Sequence, residues 1–163
     1  MVNEEEKFIL KCIELSKDSM KNGGAPFGAL IVKDGKILVD SVNNAQNRVS
    51  DHAELLVLDK AHKLLGNSNL NSCTLYSNCE PCPMCAFMIR EYKIKKVVFA
   101  IHSKAMGGFS KWKIMQDEEL FTMPTFFGKP PEVIGGIFES EARQVFDGFP
   151  PLAGIFGTKE LIK

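Results

Sequence analysis

Asp51-His52-Ala53-Glu54, answered downstream by Glu80-Pro81-Cys82-Pro83-Met84-Cys85, is the pair of stretches around which this sequence is organised. Cys82 and Cys85 are three apart, and at the start of a helix that spacing turns both sulfurs to one side. Helix-terminal amides favour thiolate over thiol there. His52 opens another helix upstream, so if both helices pack on one sheet their N-termini can converge on a single ion. Three ligands of mixed nitrogen and sulfur leave a fourth tetrahedral position for water, the arrangement of a catalytic rather than a structural zinc site. Water held that way reaches a pKa near ~7 and is a nucleophile at neutral pH. Glu54 is then the spare acid that carries protons and does not bind metal. A lone C-x-x-C also serves as a redox pair or half of a structural zinc site; H-x-E ahead of a helix, with its unused carboxylate, favours catalysis.

Working outward, Ser50 or Asp51 is expected to cap a helix over His52 to Leu65, which Gly66 stops. Leu55, Leu58, Ala61, Leu64 and Leu65 form its apolar stripe, so it should pack on a sheet. Pro81 suits the first turn of a second helix running to Tyr92, between strands at Cys73 to Ser77 and Val97 to Ile101. Toward the N-terminus, Glu4 to Asn22 has helical spacing and stops at Gly23-Gly24. Phe27 to Val32 and Ile37 to Val42 flank the turn signal Asp34-Gly35, a β-hairpin. Toward the C-terminus, Ser110 to Leu120 reads as a short helix and Val133 to Phe138 as a fifth strand. Ala142, Val145, Phe146 and Phe149 mark a last helix that Pro150-Pro151 must end. Alternating strands and helices of this kind predict a three-layer α/β/α sandwich around a central mixed five-stranded sheet.

The length of 163 residues suits one domain, here residues 1–149. Residues 150–163 form a tail whose Leu152, Ile155, Phe156, Leu161 and Ile162 would be costly in water, so it should dock on its own domain or on a neighbouring subunit. Basic and acidic residues number 20 each, so no bulk charge draws the chain to nucleic acid. No leader and no apolar run near the ~18 residues of a membrane span is present, which predicts a cytoplasmic protein without a membrane partner. Five cysteines, two of them beside prolines, point to metal binding rather than disulfides, with Cys12, Cys73 and Cys79 as ordinary buried residues. His62 and His102 lack paired ligand spacing and read as surface histidines, and Glu80 reads as a helix-start acid.

H-x-E followed by P-C-x-x-C is the signature of zinc nucleobase deaminases, and at these residues the chain resembles the cytidine deaminase-like superfamily. Its similarity is closest to the bacterial guanine deaminases, across Pro26 to Gly35, Asn43-Asn44 and Leu75 to Cys85, with yeast-type cytosine deaminases and tRNA adenosine deaminases as related branches. The resemblance implies one Zn2+ per chain on His52, Cys82 and Cys85, Glu54 as proton carrier, and a small-molecule nucleobase such as guanine as substrate. It further implies that Asn43 hydrogen-bonds the base, Phe27 lines or stacks on it, the Ala53 amide holds its oxygen, and the protein is a homodimer. Two departures bear on the substrate: the loop from Asn43 to His52 is shorter than in those relatives, and Ser110 replaces their acidic residue after a Gly-Phe pair. A serine there discriminates less strongly for guanine. The alternatives are a tRNA adenosine-to-inosine deaminase, for which Lys93, Lys95, Lys96, Lys104, Lys111 and Lys113 would have to form a basic patch, and a non-catalytic zinc-stabilised binding module.

Overall fold

The computed structural model describes residues 1–159; Leu161 and Ile162 of the tail lie outside them. Helix α1 (Glu4–Lys21) starts on an Asn3/Glu6 capping box and leads to β1 (Gly28–Lys33) and β2 (Lys36–Val42). Their turn takes left-handed Asp34 and Gly35, with φ of 51° and 73°, the primed geometry that matches strand twist. There follow α2 (Ala53–Leu65), β3 (Cys73–Cys79), α3 (Pro83–Glu91), β4 (Lys96–Ile101), β5 (Glu132–Gly135), α4 (Glu139–Asp147) and α5 (Pro150–Phe156).

The sheet is mixed and five-stranded, in the order β2-β1-β3-β4-β5, with β1 antiparallel to both neighbours and β3, β4 and β5 parallel. Strand alternation divides the core between two layers. Leu30, Val32, Tyr76, Val98 and Ala100 pack with α1, α4 and α5, whereas Ala29, Ile31, Leu75, Val97 and Phe99 pack with α2 and α3. This is the expected three-layer α/β/α arrangement. Because β1 runs against β3, the register sets Gly28 opposite Val42, Ala29 opposite Ser77, and Cys79 opposite Ile101. One sheet edge therefore gathers Phe27, Asn43, Glu80 and the residues after β4, and α2 and α3 begin at the same edge.

Several expectations need correction. Neither Ser50 nor Asp51 caps α2: His52 is the N-cap residue and makes no capping hydrogen bond. The buried face of α2 is Ala53, Glu54, Val57, Leu58 and Ala61, with Leu64 exposed, because the helix turns its smaller residues to the sheet. Pro81 precedes α3; Pro83 occupies its first turn and Cys82 its N-cap. The helix expected over Ser110 to Leu120 is absent. Two 3-10 turns, Ile114–Gln116 and Glu119–Thr122, stand there because fully buried Arg90 takes the Ile114 and Asp117 carbonyls, which an α-helix would keep for itself. Pro150 does not simply end a helix: α4 stops before Gly148, and the prolines open α5, at positions where a missing N–H costs nothing.

Candidate metal centre and cavity

His52 and Cys82, as N-cap residues, project from the starts of α2 and α3 at the shared edge, and Cys85 lies one turn into α3. Each helix forgoes a side-chain cap, typically worth about 1 kcal/mol, and turns that side chain to its neighbours instead. His52 Nδ1 is 3.5 Å from both sulfurs, and the sulfurs are 3.6 Å apart. A tetrahedral zinc with ~2.3 Å bonds to sulfur and ~2.05 Å to nitrogen requires edges of about 3.6 Å and about 3.8 Å, so the trio fits one ion without rearrangement. No other group of three His, Cys, Asp or Glu side chains among the described residues converges in this way.

The electrostatics suit a cation. The Cys82 thiol is pulled down to about 4 by its hydrogen bond with Cys85 and by His52, while that same bond and burial push Cys85 well up. The two sulfurs thus share one proton, which a divalent ion displaces. The hydrogen bond to Cys82 raises His52. Glu54 is buried; Ser77 Oγ donates to its Oε1 at 3.0 Å, and its Oε2 lies 3.8 Å from Cys85 Sγ on the side of the trio. Burial pushes the Glu54 carboxyl up, helped by the Cys82 charge.

The trio opens on a cavity of about 180 Å³ lined by Phe27, Asn43, His52, Glu54, Cys82, Met106 and Phe156, with Ala25, Ala45, Cys79, Glu80 and Ser103. Phe27 and Asn43 both line this cavity, and the Ala53 N–H, at the first helical position of α2, is one of the amides a helix leaves without an internal acceptor. Ser110 does not line the cavity, since its hydroxyl donates to Glu80 Oε2 at 2.7 Å. Glu80 is not a helix-start acid. It is buried and staples the loop after β4, accepting from the Ser103, Phe109 and Ser110 amides as well. A Cβ on Gly107 would collide with the Glu80 carboxylate and the Ser103 carbonyl, so the close approach requires glycine.

Sequence reasoning missed four contributors. Ser77 orients Glu54. Asn78 accepts from Gly28 N–H and donates to the Pro26 carbonyl, both at 2.9 Å, pinning the segment that carries Phe27. Their only signal was polarity at the end of an apolar strand. Met106 and Phe156 arrive through a loop and a tail that carry no motif. His62 stays apart, half-buried beside Ser68, and His102 lies 3.5 Å from Glu139. The six lysines divide: Lys93, Lys95 and Lys96 stand where β4 begins, at the other end of that strand from the trio, with Lys96 paired with Glu5 and Glu132, whereas Lys104, Lys111 and Lys113 lie in the loop after β4 that carries Met106. No helix among the described residues is long and apolar enough to cross a membrane.

The cytidine and deoxycytidylate deaminase zinc-binding region matches residues 2–101. The tRNA-specific adenosine deaminase of Bacillus subtilis (strain 168) is 32% identical over 151 residues, 91% of this chain and 89% of that protein. Guanine deaminase of the same organism is 42% identical over 98 residues, 58% of this chain and 63% of that one. A structure from work on A-to-I editing by tRNA:A34 deaminases superposes with a TM-score of 0.74 at 28% identity, covering 85% of this chain and 98% of that one. The Bacillus subtilis guanine deaminase structure gives 0.59 at 40% identity, covering 61% and 65%.

Proposed function

The chain belongs to the cytidine and deoxycytidylate deaminase zinc-binding family, of zinc-dependent hydrolases acting on nucleobases or nucleosides, and on that premise we propose that it deaminates a free amino-bearing base such as guanine. The observation that carries this reading is the trio with Glu54 at one end of a cavity of about 180 Å³. Pockets for drug-sized ligands run to ~300–1,000 Å³, so this one suits a single heterocycle. His52, Cys82 and Cys85 would hold one zinc, which when bound would supply water activated for attack at neutral pH. Glu54, with Oε1 anchored on Ser77, keeps Oε2 toward the reacting centre to take a proton, pass it to a ring nitrogen and return one to the departing amine. The carbon gains the water oxygen, its bond to the exocyclic nitrogen breaks, and ammonia leaves. Asn43 holds the ring by hydrogen bonds, Phe27 packs on it, and the Ala53 amide receives its oxygen. Ser110 acts on the wall through Glu80.

A second reading, adenosine deamination on tRNA, is favoured by the near full-length span of the tRNA-specific relative. Ammonia release from guanine, cytosine, adenine and their nucleosides, set against inosine formation in a tRNA hairpin, separates the two. Turnover of the hairpin alone would overturn the free-base reading, and no turnover of anything would favour a binding module. A homodimer accounts for exposed Met84 and Phe87 on α3 and exposed Trp112 and Phe126 in the segment between β4 and β5, and a monomeric mass at micromolar concentration would count against it.

A further inference from the structure

We propose that Phe156 is the specificity-determining residue that admits a base and excludes its nucleoside, an inference that rests on the free-base reading. The trio and Glu54 are presented by the starts of α2 and α3, whereas Phe156 comes from α5 and packs in the opposite layer with α1 and α4. A heterocycle lying across the sheet edge has its reacting carbon toward the first layer and its far side toward the second. In adenosine and cytidine the sugar is attached across the ring system from the exocyclic amine. It is therefore aimed at Phe156.

That wall has no slack. Phe156 is 2% exposed, with its ring centroid 6.0 Å from Phe27 and 5.2 Å from Phe146, and Phe27 lies 5.3 Å from Phe146. The ring cannot retreat without displacing the other two, and close-packed interiors resist that. A helix as short as α5 is marginal by itself, and its end is fastened from outside the cavity. Arg143 donates to the Phe156 and Gly157 carbonyls at 3.3 and 3.4 Å. Asp147 accepts from Thr158 N–H at 2.9 Å and Thr158 Oγ1 at 2.7 Å. A Cβ on Gly157 would meet Asp147 Oδ1 at 2.5 Å, so the clasp closes only over glycine. The tail thus acts as a fixed partition.

The test uses full-length, zinc-loaded protein and the pairs guanine and guanosine, adenine and adenosine, cytosine and cytidine. Ammonia release gives kcat/KM, and equilibrium binding to the Glu54→Gln variant gives a readout independent of turnover. For the base that reacts, the wild type should handle the nucleoside at least about a hundredfold less well, and Phe156→Ala should raise the nucleoside-to-base ratio about tenfold or more in both measurements. Phe156→Leu, which keeps apolar bulk, should stay near the wild-type ratio. Thr158→Val removes the hydroxyl bond of the clasp, leaves its backbone bond, does not touch the cavity, and should move the ratio in the same direction by a smaller factor, which keeps the test alive should Phe156→Ala fail to fold. A wild type that accepts nucleosides as readily as bases, or a ratio unmoved by both Phe156→Ala and Thr158→Val, overturns the proposal and leaves base deamination standing. Inosine formation in a tRNA hairpin with no ammonia from any of the bases removes the reading beneath it.

Discussion

The two walls of the cavity are built by different means. The metal side consists of two helix starts at one end of the strands, where helical spacing sets the Cys82–Cys85 distance and the packing of α2 and α3 on one sheet brings His52 to the pair. The opposite side consists of a loop and a tail, each held by one or two polar side chains: buried Glu80 for the loop carrying Met106, buried Arg90 for the turns beyond it, and exposed Asp147 for α5. A wall of regular structure keeps its chemistry when neighbours change. A wall of irregular segments depends on its fasteners, and it is there that a family can change substrate while keeping its reaction.

The sharpest break of the metal side is loss of the ion. Cys85→Ser, or chelation of the wild type, should abolish ammonia release, with metal analysis falling below one zinc per chain; added zinc should restore the chelated wild type only. Next, Glu54→Gln should lower kcat by about 10²–10⁴-fold while zinc content stays at one per chain, since Glu54 carries protons and binds no metal. Unchanged turnover in that variant would return the site to a binding role. On the irregular side the expected effects fall on stability and not on chemistry. Arg90→Met deprives the buried Gly128 carbonyl and the part-buried bonds to the Ile114 and Asp117 carbonyls of their donor, and should cost about 3 kcal/mol in urea unfolding. Its kcat, measured on folded protein, should change far less than that of Glu54→Gln.

The smallest effect serves as the control for both walls. Glu5 and Lys96 pair at 2.7 Å, where β4 begins, away from the cavity, and the hydrogen bond from Lys96 holds the Glu5 carboxyl below its usual range. A depressed carboxyl contributes stability that is present above its unfolded pKa near ~4.3 and is lost as pH falls through the lower folded value. Glu5→Gln should therefore cost at most about 1 kcal/mol at neutral pH and flatten the acid limb of the stability curve, with kcat and base selectivity unchanged.

Much of the fold was legible because period-two and helical patterns are local. The hairpin at Asp34-Gly35, the strands around α3 and the stop at Gly66 all follow from neighbouring residues. Ser110 to Leu120 misled because its helical spacing is real but weak, and Arg90, a residue of another element, claims the carbonyls a helix needs. The prolines at 150 and 151 misled for a related reason. Proline ends one helix and begins another equally well, and what decides is whether Phe156 finds a place to pack.

By itself the sequence determined the reaction: H-x-E and C-x-x-C at helix starts specify three ligands, an open position and a spare acid, because short-range spacing on a helix is already geometry. Only the tertiary structure decided what faces that centre. Phe27, Asn43, Met106 and Phe156 are scattered along the chain and meet because β1 runs antiparallel to β3 and α5 folds back over the layer opposite the metal. Ser110, expected at the substrate, was taken by Glu80 instead. Contacts between residues so far apart depend on packing and on which buried polar group finds a partner first, and no local pattern encodes that competition.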